Sequence, residues 1–304
     1  MSPKTKDIAI VILNWNSFEV TRQCLSCISD LNLDYQIILV DNGSVDNSGA
    51  KLYLEFPELY YFGLKKNLGF TGGNNVALRW VIEQDYGYVL LLNNDTIFDE
   101  NFVAPLLSYM DAHPNVGAIQ PKIMYQNMPK IIWNAGAVYN SILGLPKTIG
   151  ENKLDDGSYD LLNEVDWVTG CAMFIRTSVL KKVGLLDDIF FAYFEDVDLS
   201  LRVRKAGYQL VYFPEAKIYH LAGQSLRHTK PDSEGFLSPI FHFYNIRNQL
   251  YVMRKHLEWF NMPLAFLFVV FKDISIVIYF ILRFRLKKAK MAWNGLIEGL
   301  TNSI

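Results

Sequence analysis

Residues 88–96, YVLLLNNDT, restrict the fold of this chain more than any other stretch. Five apolar residues in a row, 88–92, suit a strand buried on both faces, as in a sheet covered by helices. Asn93-Asn94-Asp95 follows where that strand must end. The carboxylate of Asp95 is therefore expected at the carboxyl edge of the sheet, where open α/β folds bind ligands. A carboxylate is a hard oxygen donor suited to Mg²⁺ or Mn²⁺, and such ions complete their shell with substrate phosphates.

The rest of the chain agrees with an α/β sheet. Short apolar runs at 8–13, 35–40 and 60–64 read as strands, and helical spacing follows each of them. Ser17 can cap a helix over 18–31, a second helix runs from about 48 to 56, and a third from 75 to 84. Before the third lies NLGFTGGNN, residues 67–75, read as a glycine-rich loop. Strands alternating with helices argue for a parallel sheet covered on both faces. Further on come a helix over 101–113 and a strand over 116–125. Residues 127–163, rich in Gly, Asn, Asp and Pro, read as loops or a hairpin. Strand character returns over 165–176 around Gly170, an acidic helix start lies within 190–206, and 209–213 is one more strand, with Ile218-Tyr219-His220 just beyond it.

At 304 residues the chain is long enough for one large domain or two small ones. A formal charge of −2 with mixed signs gives no basis for a nucleic-acid surface. Three cysteines make no disulfide framework, and Cys24-x-x-Cys27 has no second pair to complete a zinc site, so core packing on a helix face and a reducing, cytosolic compartment are expected. The polar start MSPKTKD leads straight into a strand and reads as no signal peptide. A dinucleotide-binding enzyme would need G-x-G-x-x-G after the first strand. NWNSF stands there instead, without a glycine.

After Gly235 the character changes. Residues 244–256 read as a helix, and 262–282 are apolar apart from Lys272-Asp273 and Ser275. A basic cluster follows: Arg283, Arg285, Lys287, Lys288 and Lys290. A charge at mid-membrane costs roughly 3 kcal/mol on insertion scales. The pair at 272–273 therefore favours helices lying on or re-entering the membrane surface over a span, with the basic residues facing anionic lipid. Packing on its own domain, or across a homodimer, is the other use of such a tail.

Five stretches in order, VILNWNS, VDNGSVDNS, NLGFTGGNN, LLNNDT, and FFAYFEDVDLSLR with IYHLAGQS behind it, resemble glycosyltransferase family 2. Within it the chain looks most similar to the rhamnosyltransferase-like enzymes of bacterial polysaccharide assembly. The resemblance spans about residues 8–254. It implies a GT-A fold, a Rossmann-like mixed α/β sheet flanked by helices, over residues 1–235, followed by a helical C-terminal tail over 236–304. It also implies an inverting transfer of a sugar from a nucleotide-diphospho-sugar to a glycan or lipid-linked saccharide, at the inner face of the plasma membrane. The leading donor is dTDP-rhamnose, with UDP-sugars the alternative.

Site roles follow from the same resemblance. Asn14 and Asp41, at the ends of the first two strands, can hydrogen-bond a pyrimidine edge, and the family gives Asp41 that part. Asn67, Gly69 and Asn94 belong with the donor site. Asp95 is the metal-binding carboxylate for Mn²⁺ or Mg²⁺, although Asn93 replaces the first carboxylate of the family's Asp-x-Asp pair, and His220 is the second metal ligand. Asp196 is the general base for the acceptor hydroxyl, with Glu195 holding acceptor hydroxyls or tuning its neighbour. Trp167, Gly170 and Cys171 line the acceptor site. Asp198 reads as a surface ion pair with Arg202 at i, i+4. A non-catalytic sugar- or nucleotide-binding module on the same fold is the competing reading, and Asn93 is its best support.

Overall fold

The computed structural model describes residues 7–29, 31, 34–222, 227–232 and 235–304. The Gly-Gln-Ser end of the YHLAGQS stretch and the first six residues lie outside them.

The first half alternates as its apolar runs require. β1 (Ile8–Asn14), α1 (Phe18–Ser29), β2 (Tyr35–Asp41), α2 (Ser48–Glu55), β3 (Tyr60–Gly63), α3 (Gly69–Glu83) and β4 (Tyr88–Asn93) form three successive crossovers. β5 (Thr96–Ile97), α4 (Val103–Ala112), β6 (Val116–Tyr125), β7 (Met128–Asn134), β8 (Ala137–Asn140), β9 (Leu145–Thr148) and β10 (Asn163–Glu164) follow. Then come β11 (Ala172–Arg176), α5 (Thr177–Val183), a 3₁₀ turn over Asp188–Phe190, α6 (Glu195–Lys205) and β12 (Gln209–His220). The last elements are β13 (Arg227–Asp232), β14 (Gly235–Leu237), α7 (Pro239–His256), α8 (Met262–Leu282) and α9 (Leu286–Thr301).

The main sheet runs β10-β12-β6-β11-β4-β1-β2-β3, with β5 on β12 and β7 on β6. β3, β2, β1 and β4 are parallel, whereas β11 is antiparallel to both β4 and β6. The sheet is thus mixed, and the purely parallel arrangement suggested by alternation stops at β4. Both faces carry an apolar layer. Ile10, Ile12, Leu90 and Leu92 pack with Leu25 and Ile28 of α1, and Val11, Val89 and Leu91 pack with Leu78 and Val81 of α3. Cys24 sits in the first layer with its thiol pushed up to about 12 by burial, and the three cysteines are free. That is core packing.

Three expectations need correction. The glycine-rich stretch is helix from Gly69 on. Tertiary packing selects its small residues: a Cβ on Gly73 would lie 2.5 Å from Leu13 Cδ1. Strand character over 165–176 survives as a named strand only in β11, because the amides of residues 168–171 just before it are taken by side chains. Val168 N donates to Ser200 Oγ (3.2 Å) and Thr169 N to Gln120 Oε1 (3.0 Å). β12, conversely, runs through Pro214 to His220, with a register irregularity between Phe213 and Lys217 that accommodates the proline. In residues 127–163, buried Lys122 pairs with Asp155 (2.8 Å) and Asp160, which ties the excursion to β6.

The chain divides into two compact units, one of residues 7–138, 148–191 and 195–222, the other of 139–147, 192–194 and the described residues from 227 on. In the second unit, α8 is long and apolar enough to cross a membrane, the one such helix among the described residues. Ala265, Val269, Asp273, Val277 and Phe280 form its buried stripe. Asp273 is fully buried and Lys272 donates to Gln249 Oε1 at 2.6 Å, so the mid-helix charges are held within this unit. Lys288, expected among the outward basic residues, is only 3% exposed, with its ammonium 5.8 Å from the Phe280 ring centre.

Candidate active site

Three neighbouring parallel strands end together: Asn14 lies opposite Asp41, and Leu13 opposite Asn93. Asn14 is fully buried. Its Nδ2 reaches Ser48 Oγ (2.8 Å), Asp41 Oδ1 (3.2 Å) and Ser44 Oγ (3.2 Å), and its Oδ1 accepts from Thr21 Oγ1 (2.9 Å). Both ends of this amide are occupied by protein, so its part here is to hold Asp41. Asn94 donates to the same Thr21 hydroxyl at 2.7 Å, linking the end of β4 to the end of β2. Asp41 Oδ1 also accepts from Ser44, and Oδ2 faces the Tyr61 hydroxyl at 3.4 Å. The carboxylate lies against α2, where a Cβ on Gly49 would stand 2.2 Å from Asp41 Cγ.

Asn67 Oδ1 accepts from Gly69 N (2.7 Å) and from Asn42 Nδ2 (3.0 Å), and Asn42 Oδ1 accepts from Leu68 N (2.9 Å). Asn42 therefore shares the bracing of this turn with Asn67. Asn42 lies in the VDNGSVDNS stretch, whose resemblance assigns a role only to Asp41. Gly69 has φ +76°, and a Cβ there would come within 2.4 Å of the Phe191 carbonyl, so only glycine fits.

Asp95 and His220 are brought together by the pairing of β5 with β12, where Thr96 opposes His220 and Leu221 N donates to the Asp95 carbonyl (2.9 Å). Asp95 Oδ1 lies 3.0 Å from His220 Nε2, and both side chains are buried. The Asn93 amide is 3.4 Å from the same nitrogen, and Trp133 meets the imidazole edge-on at 4.6 Å. Among the described residues no group of three or more His, Cys, Asp or Glu side chains forms a metal cage. A carboxylate oxygen facing an imidazole nitrogen, with an amide beside them, fits a divalent ion whose remaining positions are filled by substrate oxygens.

On the other side of the β4 edge, Asn93 N donates to the Cys171 carbonyl (2.8 Å). Cys171 is buried, and burial followed by the charges of Asp95 and Asp196 holds its thiol well above the ordinary value. It is therefore a buried, neutral thiol that feels both carboxylates. Gly170 N donates to Asp196 Oδ2 (2.9 Å), and Val197 N to Asp196 Oδ1 (2.8 Å). A Cβ on Gly170 would be 3.3 Å from the half-exposed Phe70 ring and 3.6 Å from Asp196 Cβ. Phe70 thus packs against Gly170, a neighbour that the motifs alone do not indicate. Trp167 is 9% exposed with its indole N–H on the Val138 carbonyl (3.2 Å), which places it in the wall rather than on an open face.

Burial raises the Asp196 carboxyl from its ordinary value, against the lowering effect of the Gly170 and Val197 amides and the Thr169 hydroxyl. Glu195 is buried too, and among the described residues its Oε2 has no hydrogen-bond partner. Burial first, then the adjacent Asp196 charge, pushes its carboxyl well up. Asp198 is not a surface residue. It is fully buried on Arg202 Nε (2.9 Å), whose other nitrogens hold the Val183 (2.8 Å) and Leu185 (2.7 Å) carbonyls and so fix the end of α5 to α6.

The profile described as Glycosyl transferase family 2 matches residues 9–184, more than half of the chain. The chain belongs to that family, and its fold is GT-A. A low-salt glycan biosynthesis hexosyltransferase, Agl10, of Haloferax volcanii is 28% identical over 205 residues, 66% of this chain and 62% of its own length. The chain thus spans less than two thirds of that relative. An N-acetylglucosaminyl-diphospho-decaprenol L-rhamnosyltransferase of Mycobacterium tuberculosis is 23% identical over 292 residues, covering 86% of this chain and 88% of its own. Among solved structures, GalNAc-T7 with UDP, GalNAc and Mn²⁺ superposes with a TM-score of 0.57 at 17% identity, over 72% of this chain and 44% of that one.

Proposed function

We propose that the chain is an inverting glycosyltransferase using a nucleotide-diphospho-sugar, with dTDP-rhamnose as the leading donor and a lipid-linked or growing glycan as acceptor. The observation that carries this reading is the approach of Asp95 to His220, 3.0 Å apart at the end of the central strand. The named activities of the relatives favour the sugar and acceptor class. In this reading Asp41 receives the nucleotide base, Asn67 and Gly69 shape the turn beside it, and Asp95 with His220 hold the divalent ion. When bound, the ion supplies Lewis-acid stabilisation of charge on the diphosphate.

Asp196 takes the proton of the acceptor hydroxyl as the oxygen forms its bond to the sugar's anomeric carbon. The bond from that carbon to the diphosphate oxygen breaks on the opposite side, which inverts the centre. A base with a pKa moved toward the working pH transfers protons more effectively, and burial does this for Asp196. Residues 1–235 form the catalytic portion in this account. The tail from 236 docks on the cytoplasmic membrane surface through the apolar outer face of α8, with Arg283, Lys287 and Lys290 exposed beside it toward anionic lipid.

The test is release of nucleoside diphosphate from dTDP-rhamnose, UDP-glucose and UDP-galactose with Mn²⁺ or Mg²⁺. Wild type is expected to turn over one donor class, and Asp196→Asn to lose about 100-fold or more in rate with nucleotide affinity kept. Nucleotide binding without turnover of any donor would favour the non-catalytic module, and lost nucleotide affinity in Asp196→Asn would contradict its assignment as the base.

A further inference from the structure

The segment that leads into Asp196 is held by a buried amide on α7. Residues 192–194 belong to the second unit together with that helix. Asn248, midway along α7, is fully buried, and its Nδ2 donates to the carbonyl of Ala192 (2.8 Å) and to that of Tyr193 (2.8 Å). A carboxamide nitrogen has two N–H donors. Both are spent on consecutive carbonyls, while Oδ1 accepts from Arg247 Nε (2.9 Å).

The backbone held in this way needs holding. Tyr193 has φ +69° and Phe194 φ +68°, in the left-handed region that non-glycine residues rarely adopt. Such conformations persist only where surrounding structure over-determines them, and they gather at functional sites. The Tyr193 ring meets Phe241 of α7 edge-on at 5.2 Å, a second hold on the same residue. Phe194 is followed at once by Glu195 and Asp196, the first residues of α6. On the α7 side, Gln249 next to Asn248 is bound by Lys272 of α8.

We propose that Asn248 is a positioning residue for the base: by fixing the Ala192 and Tyr193 carbonyls it sets the left-handed entry to α6 and hence the place of the Asp196 carboxylate. This rests on the reading of Asp196 as the base. Asn248 itself touches neither donor nor acceptor in this account. The amide is specific to the task, since leucine of similar size has no donor and aspartate would set oxygens against two carbonyls.

The test uses the full chain as wild type, Asn248→Leu, Asn248→Ser and Asp196→Asn. Amide hydrogen exchange over 190–197, thermal melting, and the kinetics of nucleoside diphosphate release with the donor panel are followed. Asn248→Leu is expected to speed exchange over 190–197 at least tenfold while peptides of β1 and β2 keep wild-type protection. Its kcat should fall about 100-fold, the scale of an ångström-level misplacement, with the donor KM within twofold. Asn248→Ser, which keeps one donor, should lie between and serves alone if the leucine variant does not fold. Wild-type exchange and kcat in both variants would overturn the proposal. So would a loss shared equally by kcat, nucleotide affinity and melting, which marks general damage. Asp196→Asn with wild-type turnover, or no turnover of any donor by wild type, would sink the base reading and this inference with it. Asp196→Asn inactive beside fully active Asn248 variants would sink this inference alone.

Discussion

Glu195 and Asp196 stand side by side in sequence yet meet different surroundings. Asp196 receives two backbone amides, whereas Glu195 Oε2 is buried with no hydrogen-bond partner among the described residues. The folded state therefore favours the protonated form of Glu195, whose ordinary value is 4.5. Below that value the side chain costs little. As pH rises past it the unfolded chain ionises first, and stability is lost until the folded pKa is passed. Glu195→Gln should accordingly melt higher than wild type at pH 7 to 8, by a few degrees, with the gap closing as pH falls toward 4.5. Melting curves across that range check it, and a gap constant with pH would contradict the assignment of the buried acid. The spacing Glu195-Asp196-x-Asp198 showed three carboxylates at a helix start, and the dipole accounts for some of that. Which of them is paired, which is half-open and which is orphaned depends on Arg202, Gly170 and the wall around Glu195, contacts that no local pattern encodes.

Single elements show the same division. The apolar run of β4 and the alternation before it were legible because strands covered on both faces need continuous hydrophobic residues. The start of α3 is hidden from the sequence, because Gly69, Gly72 and Gly73 lower helix propensity, while close packing of Gly69 on Phe191 and of Gly73 on Leu13 and Asn42 selects glycine there. α2 holds a sharper case of packing against propensity. Gly49→Ala should gain about 1 kcal/mol from helix propensity alone, yet its new Cβ would collide with the Asp41 carboxylate. Reduced stability and weaker nucleoside diphosphate binding are expected, measured by denaturant titration and calorimetry. A stabilised variant with wild-type affinity would contradict the placement of Asp41 in the donor site.

For the whole molecule, the order of motifs made the fold readable, since five weak signals in sequence define one topology. The tail was less legible. A charged pair at mid-helix argued against burial in lipid, but Asp273 is turned fully inward and Lys272 bonds Gln249, so the outer face of α8 carries Leu264, Leu267, Phe271 and Leu282 exposed. Twenty-one residues span about 31 Å at 1.5 Å each. The full chain should sediment with vesicles containing anionic lipid, less with zwitterionic ones, and Leu267→Glu with Phe271→Glu should release it. A monodisperse, detergent-free chain that ignores both vesicle types would remove membrane docking from the account and leave a subunit interface as the use of this face.

The central claim, a metal-assisted nucleotide-sugar site at the end of β4, is tested most directly by calorimetry of dTDP, UDP and GDP with and without Mn²⁺, on wild type and Asp95→Ala. The account predicts that one pyrimidine diphosphate binds, that Mn²⁺ tightens it at least tenfold, and that Asp95→Ala abolishes the metal effect. Binding indifferent to both Mn²⁺ and Asp95 would contradict the metal assignment and give Asn93 its meaning as the mark of a metal-free site. No binding of any nucleotide would contradict the donor site itself.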